Sequence, residues 1–353
     1  MQLIRGGVTN GLLPFAGAVR TEDPPSGAEQ QGAMMESSKK AQTVTEPGIR
    51  SDRFRTERVS FESHNATLVG NLYLPSAAGV SELLPAVIVT GAWGTVKEQM
   101  PVGYAREMAA RGFIALAFDF RGWGESGGRP RSMEDPFAKA ADIVAAAEYL
   151  RARSDVEASA IGGLGICASS AYLATAATRT DLIKSLALVA PAVPSRATVA
   201  AHLGGDQGLA VLRDAAREAL EEYDRTGEER LVAAVDQSAE DTAAGADYYT
   251  NPDRGMVPEW ENTFNPASWD KWLKYDAQAA AAFLKQPLLT VHSDAAASPE
   301  SVREFAAQVP HEVDQLWIEE VSQFDFYDQP GPMNTACDAA AHHFMRTMGA
   351  KVA

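Results

Sequence analysis

Short, wholly apolar runs that alternate with helical segments constrain the fold of this chain more than any other feature. Pro85–Thr90 reads PAVIVT and Phe113–Phe118 reads FIALAF, and such runs are typical of strands buried on both faces. Amphipathic helical segments such as Pro136–Arg151 separate these strands. Alternating strands and helices imply right-handed crossovers, so the sequence predicts an α/β fold with a mostly parallel central sheet flanked by helices. Further strands are predicted at Ala160–Leu164, Ser185–Ala190, Pro287–His292 and Val313–Val321.

Two segments of the chain do not follow the alternation of strands and helices, one before it and one within it. Residues 1–52 contain one aromatic residue, Phe15, and are rich in Gly, Pro, Ser, Glu and Gln. Because such a segment buries too little to offset its ordering entropy, it is predicted to be a mobile tail. Residues 194–283 are predicted to be largely helical, with acidic helices at Leu209–Asp224 and Glu228–Asp247. We therefore predict an N-terminal tail (1–52), an α/β core (53–193 and 284–353) and an inserted helical cap (194–283).

The charge and the cysteine content limit the partners and the compartment. The chain has 31 Lys and Arg against 47 Asp and Glu, a net charge of −16, so no nucleic-acid partner is expected. The longest apolar runs, Leu83–Val89 and Leu186–Val193, fall short of the roughly 20 residues that span a bilayer, so no membrane partner is expected. Two cysteines cannot form a disulfide framework, which favours a cytoplasmic protein. Whether the chain forms a homodimer is left open.

The most specific local pattern is GLGICASS at residues 163–170. It follows a predicted strand and opens a helix, which is the context of a nucleophile elbow, where glycines let the chain turn sharply and raise one side chain at the sheet edge. The raised residue is Cys167, and the following helix is expected to stabilise its thiolate and lower its pKa below about 8.5. The alternative, a buried and inert cysteine, stays open. Cys337 lies in the last amphipathic helix and is interpreted as packing.

Over the predicted core the chain resembles the α/β-hydrolase superfamily, most closely the branch of dienelactone hydrolases and X-Pro dipeptidyl peptidases, some of which carry Cys in the elbow. The resemblance rests on the elbow, on TGAWG at residues 90–94 and on DFRGWGES at residues 119–126. It implies an α/β-hydrolase fold and an oxyanion hole formed by the N–H of Ala168 and that of Ala92 or Trp93. It also implies a small hydrophobic substrate, with neither a cofactor nor a metal.

The acid and the histidine of the superfamily's triad have no regular counterparts in this chain. The acid should follow the strand Pro287–His292, where Asp294 is the only acid before Glu300, although the superfamily more often places it where this chain has Ala296. The alternative for Asp294 is a solvated loop residue. Gln323 occupies the position of the histidine. Because a carboxamide does not take up a proton near neutral pH, Gln323 is expected only to orient groups by hydrogen bonding.

These features together predict cysteine-dependent acyl chemistry. A thiol is intrinsically nucleophilic, so acylation of Cys167 is expected even without a base, whereas hydrolysis of the acyl-enzyme is harder. We expect an enzyme that acts on a hydrophobic ester, lactone or thioester through an acyl-Cys intermediate. The alternatives are acyl transfer, elimination of an acyloxy group (similar enzymes eliminate acetate in tetronate polyketide pathways), and a non-catalytic protein that binds a small ligand. Six aromatic residues of the predicted cap are expected to line a pocket over Cys167, to pack the cap on the core, or both: Tyr248, Tyr249, Trp260, Phe264, Trp269 and Trp272.

Overall fold

The computed structural model describes residues 53–76, 83–235 and 243–349, and ten strands lie within these ranges. They are β1 (Phe54–Ser63), β2 (Ala66–Pro75), β3 (Leu84–Thr90), β4 (Ile114–Phe118), β5 (Val156–Ile166), β6 (Ser185–Val189), β7 (Val232–Ala233), β8 (Thr263–Phe264), β9 (Leu288–His292) and β10 (Asp314–Trp317). Eight of them form one sheet in the order β1-β2-β4-β3-β5-β6-β9-β10, and β7 pairs only with β8. The pairs β1–β2 and β2–β4 are antiparallel, and every adjacent pair from β4 to β10 is parallel.

The helices of the described residues flank this sheet or belong to the insertion between β6 and β9. They are α1 (Met100–Ala110), α2 (Pro136–Arg151), α3 (Ser169–Ala177), α4 (Arg196–His202), α5 (Gly205–Thr226), α6 (Ala243–Thr250), α7 (Ser268–Trp272), α8 (Pro299–Gln308), α9 (Asp325–Asp328) and α10 (Pro330–Met348). Side chains alternate along β3, so Val87 and Val89 join the hydrophobic cluster that contains residues of α1 and α10, while Ile88 joins the cluster of α2 and α3. Full burial of one such side chain contributes about 1.5–3 kcal/mol.

The predicted mostly parallel sheet with flanking helices is confirmed, and its boundaries differ by a few residues. One predicted helix, Glu228–Asp247, is wrong over its first part. Val232 and Ala233 form β7, which pairs with β8, and the N–H of Val235 donates to Asn262 Oδ1 at 2.8 Å. Residues 236–242 lie outside the described ranges, and α6 begins at Ala243. The last core strand is also shorter than predicted, since β10 ends at Trp317.

Two other expectations concern the ends and the surface of the chain. The tail predicted for residues 1–52 lies outside the described residues, and the division into core and cap stays a prediction. Within the described ranges, no helix combines the length and the apolar character that crossing a bilayer requires.

The parallel strands bring the sequence motifs to one edge of the sheet. Because β3, β5, β6 and β9 all point the same way, their carboxyl ends meet there, as in other open α/β sheets that bind ligands at this edge. The TGAWG segment follows β3, Cys167 follows β5, and Ala190 follows β6. The insertion between β6 and β9, which contains α4 to α7, lies against the same edge, since Trp260 Nε1 donates to the carbonyl of Gly94 at 2.8 Å.

Candidate active site

Cys167 sits in the strained turn that the elbow pattern predicts. Its φ is +56°, in the left-handed region that a non-glycine residue rarely adopts. The surrounding backbone holds this conformation: the Cys167 N–H donates to the carbonyl of Val189 at 3.0 Å, and the Cys167 carbonyl accepts from the N–H groups of Ser170 at 3.1 Å and Ala192 at 3.0 Å. The turn presents the thiol at the carboxyl edge of the sheet.

Small residues allow α3 to approach β5 closely at this turn. A Cβ at Gly165 would lie 2.9 Å from the Cα of Ser170, so a larger residue would push the helix away. Ser169 stands where the elbow pattern usually has a second glycine, and it is fully buried. Its Oγ accepts from the N–H of Ile166 at 3.1 Å and donates to the Ile166 carbonyl at 3.0 Å. Serine therefore fits the elbow, as expected.

The structure separates the two candidates for the second oxyanion donor. The N–H of Ala168 and the N–H of Trp93 both lie near the Cys167 sulfur and stabilise its thiolate. The N–H of Ala92 instead donates to Met100 Sδ at 3.5 Å. Ala92 lines the site, but Trp93 and Ala168 are the residues whose N–H groups converge on the sulfur. A tetrahedral intermediate on Cys167 would place its oxyanion within reach of these two donors.

A buried ion pair anchors the loop that carries Trp93. The Glu134 carboxylate is fully buried and accepts from the Gly94 N–H at 3.0 Å, from Lys139 Nζ at 2.7 Å and from the Tyr172 hydroxyl at 2.8 Å. The Gly94 carbonyl accepts from the indole of Trp260. Gly94 is thus held by the core through its N–H and by the insertion through its carbonyl, which restricts the position of the Trp93 N–H.

The DFRGWGES motif is structural in this protein. The Asp119 carboxylate accepts from the backbone N–H and from the Nζ of Lys97, each at 2.8 Å, and from the Glu125 N–H at 3.0 Å. A Cβ at Gly124 would lie 2.3 Å from Asp119 Oδ2, so glycine is required there. The motif therefore fixes its own turn and the segment that follows Trp93.

The expectation that the helix lowers the pKa of Cys167 is wrong. Burial in an apolar environment raises the pKa of the thiol above its ordinary value of 9.0, although hydrogen bonds from the Tyr327 hydroxyl, the Ala168 N–H, the Gln323 carboxamide and the Trp93 N–H act in the opposite direction. Removal of water from the thiolate outweighs these donors. The resting thiol is therefore mostly protonated near neutral pH.

Alkylation by iodoacetamide should report this pKa. Because only the thiolate reacts, we expect the rate at Cys167 to be low at pH 7 and to rise with a midpoint above the ordinary pKa of 9.0. Mass spectrometry of the alkylated peptide would measure the rate, with free N-acetylcysteine as the control for reagent and buffer. A rate that has reached its plateau by pH 7 would contradict the raised pKa.

Gln323 lies at the position that the resemblance gives to the histidine. It is 9% exposed, its Nε2 donates to the Ala190 carbonyl at 2.9 Å and to the Tyr327 hydroxyl at 3.3 Å, and its Oε1 accepts from the Ala297 N–H at 3.2 Å. A backbone acceptor and a backbone donor thus fix the orientation of the amide. Gln323 orients its neighbours by hydrogen bonding, and it has no basic atom for proton transfer.

Tyr327 is the site residue that sequence reasoning missed. It is 3% exposed, it lines the cavity, its hydroxyl accepts from Gln323 Nε2 at 3.3 Å, and it stabilises the Cys167 thiolate. Burial raises its pKa well above the ordinary phenol value. The available signal was its spacing from Gln323, because residues four apart share one side of a helical turn.

Asp294 is not brought to the site, so the expectation of a catalytic acid there is corrected. Its side chain is 72% exposed and forms an ion pair with Arg303. The acceptor that Gln323 offers is instead used by the Ala297 N–H. His292, at the end of β9, is buried against Trp317 with ring centroids 5.4 Å apart, and burial lowers its pKa to about 4. Both residues therefore belong to the surrounding structure.

A cavity that is partly open to solvent lies over the thiol. Among the described residues its lining contains no charged side chain and no histidine. The hydroxyls of Tyr172 and Tyr275 are already engaged, the latter donating to the Ala171 carbonyl at 2.8 Å. The lining residues are Ala92, Trp93, Cys167, Ala168, Ala171, Tyr172, Ala192, Pro194, Val199, Tyr249, Trp272, Tyr275, Ala277 and Tyr327.

The aromatic residues of the insertion divide between the two expected roles. Tyr249 and Trp272 line the cavity. Phe264 and Trp269 pack on the ring of Trp93, with centroids 4.8 and 6.0 Å away. Tyr248 packs on Tyr327 at 5.1 Å. The insertion therefore contributes walls to the cavity and also holds Trp93 and Tyr327 from outside.

Comparison with known proteins agrees with this architecture. Residues 65–320 match the X-Pro dipeptidyl-peptidase (S15) family. The uncharacterized protein PA2218 of Pseudomonas aeruginosa is 28% identical over 285 residues, 77% of this chain and 76% of that protein. Its crystal structure superposes with a TM-score of 0.77 at 22% identity, covering 89% of this chain and 99% of that one. The α/β-hydrolase GrgF of Penicillium sp. sh18 superposes with a TM-score of 0.71 at 18% identity, covering 84% and 99%.

One further relative has an activity in its name. Thiohydrolase aneE of Aspergillus aculeatus is 31% identical over 153 residues, 43% of this chain and 45% of that protein. This match spans less than half of the relative's length. The structural neighbours, all of low identity, establish the α/β-hydrolase fold.

Proposed function

The chain belongs to the X-Pro dipeptidyl-peptidase (S15) family of α/β-hydrolase-fold proteins, and from that premise we propose that it acts on a hydrophobic ester, lactone or thioester through an acyl-Cys167 intermediate. The observation that carries the proposal is the convergence of the Ala168 and Trp93 N–H groups on the Cys167 sulfur. Backbone donors at the nucleophile stabilise the oxyanion that forms when the nucleophile attacks a carbonyl. A buried cysteine that served only packing would have no need of them.

The lining of the cavity supports an uncharged acyl group. Apolar and aromatic walls surround the thiol, and the hydroxyls of Tyr172 and Tyr275 are engaged elsewhere. An X-Pro peptide would bring an N-terminal ammonium group, which needs a carboxylate when it is removed from water. The lining formed by described residues offers none. The name of the relative aneE, a thiohydrolase, supports a thioester among the three acyl classes.

A second candidate function follows from the groups around the sulfur. Among the described residues, the lining contains no histidine and no carboxylate, so no ordinary general base is present to activate water. This favours transfer of the acyl group to a stronger nucleophile, or elimination of an acyloxy group, as alternatives to hydrolysis. Release of a free acid together with a new carbon–carbon double bond would identify the elimination.

Trapping of the acyl-enzyme tests the proposal. Incubation with the p-nitrophenyl ester of a medium-chain fatty acid should add one acyl mass to the protein, because p-nitrophenolate leaves readily and deacylation is slow. Peptide mapping should locate the acyl group on Cys167, and Cys337, which is fully buried, provides the internal control. Binding of the ester with neither adduct nor turnover would instead show a ligand-binding protein.

A further inference from the structure

We propose that Tyr327 is the acid–base partner of Cys167 and takes the place of the missing histidine. The inference rests on the proposed acyl-Cys chemistry and deepens it, since it names the group that moves the proton. Tyr327 and Cys167 line the same cavity, and the Tyr327 hydroxyl is placed so that it stabilises the Cys167 thiolate. The phenol therefore lies beside the reacting atom.

The direction of this hydrogen bond follows from Gln323. The Gln323 Nε2 must face the Ala190 carbonyl at 2.9 Å, because its Oε1 faces the Ala297 N–H at 3.2 Å. Nε2 also lies 3.3 Å from the Tyr327 hydroxyl. An amide nitrogen only donates, so the Tyr327 oxygen accepts there. Its own hydrogen is then free to point at the sulfur, and Gln323 acts as the positioning residue.

The first half-reaction starts from the form of the pair that has lost one proton, a Cys167 thiolate with a Tyr327 phenol. The sulfur attacks the carbonyl carbon of R–CO–X–R′ and the S–C bond forms, while the Ala168 and Trp93 N–H groups hold the oxyanion. The bond to X breaks, and the Tyr327 proton passes to X. The products are H–X–R′, the acyl-Cys and a Tyr327 phenolate.

The second half-reaction returns the proton. The acceptor H–Y–R″, which is water in hydrolysis, gives its proton to the Tyr327 phenolate, and Y attacks the acyl carbon. The C–S bond breaks and Cys167 leaves as thiolate, so the sum is R–CO–X–R′ plus H–Y–R″ to R–CO–Y–R″ plus H–X–R′. Burial raises the pKa of Tyr327, which makes its phenolate a strong base for this step.

The test compares two esters of one acyl group, a p-nitrophenyl ester, whose leaving group departs without a proton, and an ethyl ester, whose leaving group needs one. In Tyr327→Phe, acylation by the p-nitrophenyl ester should stay within about threefold of the unmodified protein. Acylation by the ethyl ester and turnover of both esters should fall about 10²-fold or more, the usual contribution of an acid–base group. The control is Tyr149→Phe on α2, whose hydroxyl accepts from Arg153 at 3.2 Å, and it should leave all rates unchanged.

Several outcomes would overturn the assignment. Equal loss with both esters would show that Tyr327 stabilises the thiolate or shapes the site and does not act as an acid, and no loss would show that Tyr327 transfers no proton. A measurement on the unmodified protein does not depend on whether the variant folds. The rate of acylation should vary only weakly with the basicity of the ester's leaving group. A steep dependence would show that Tyr327 does not protonate the leaving group. Cys167→Ala separates the proposed function from the role of Tyr327. Turnover by Cys167→Ala would overturn the acyl-Cys function itself. If Cys167→Ala loses turnover and Tyr327→Phe keeps it, only the role of Tyr327 is overturned.

Discussion

Replacing Cys167 with serine is expected to lower the rate of acylation by about 10³-fold or more, although the change exchanges a single atom. A thiol loses its proton at accessible pH, and the thiolate is intrinsically nucleophilic. A serine hydroxyl stays protonated and needs an adjacent base to become reactive. The residue at the base position is Gln323, whose carboxamide holds Ala190, Ala297 and Tyr327 in hydrogen bonds and accepts no proton. The site therefore suits sulfur and not oxygen.

The burst of p-nitrophenolate on mixing enzyme with p-nitrophenyl ester measures this effect. Cys337→Ala serves as the control, because Cys337 lies in α10, packed away from the cavity, and its loss should leave the burst rate unchanged. A serine variant that acylates at a rate near that of the unmodified protein would mean that an unrecognised base reaches residue 167.

The fold and the elbow could be predicted because their signals are local. Residues such as Val87 and Ile88 are apolar in succession since β3 is buried on both faces, and a strand of this kind is visible in the sequence alone. Cys167 lies between a strand and a helix, and this context of the elbow is also visible in the sequence. The same holds for Ala168, whose N–H is predicted from its place directly after Cys167.

The remaining parts of the site depend on contacts between segments far apart in the chain. The pKa of Cys167 is set by walls that include Tyr249 and Trp272, and no local pattern reports how completely they exclude water. Asp294 was the only nearby acid, yet the loop after β9 turns it outward to Arg303. Tyr327 lines the same cavity as Cys167, which lies 160 positions earlier in the chain. Pattern reasoning assigns residues to motifs, and none of these pairings lies within one motif.

The link between the insertion and the oxyanion loop is another contact of this kind. Trp260 donates to the Gly94 carbonyl while Glu134 accepts from the Gly94 N–H. Glu134 is itself compensated by Lys139, and breaking such a buried pair usually costs about 3–5 kcal/mol. The loop position is therefore coupled both to the stability of the core and to the packing of the insertion. This coupling holds the Trp93 N–H in place.

Adding a histidine to the Cys167→Ser variant is expected to restore much of the acylation rate that this substitution removes. In the double variant Cys167→Ser and Gln323→His, acylation should rise by about 10²–10⁴-fold over Cys167→Ser alone, the range of a positioned general base. The Gln323 side chain already lies near the residue 167 side chain and donates to the Ala190 carbonyl. That carbonyl can hold one ring N–H and leave the second ring nitrogen free to accept the serine proton. The rate should fall as the pH drops below about 6.5, because the protonated imidazole is no longer a base.

The matched control places a histidine at a position from which it cannot reach the serine at position 167. Gln329 is exposed at the start of α10, so Cys167→Ser with Gln329→His should acylate no faster than Cys167→Ser. Burst rates of both double variants, measured from pH 5 to 9, separate a positioned base from a general effect of added imidazole. If Gln323→His does not raise the acylation rate of Cys167→Ser, position 323 does not correspond to the histidine of the triad. The preference for a thiol at position 167 would then come from the cavity walls and not from the absence of that histidine.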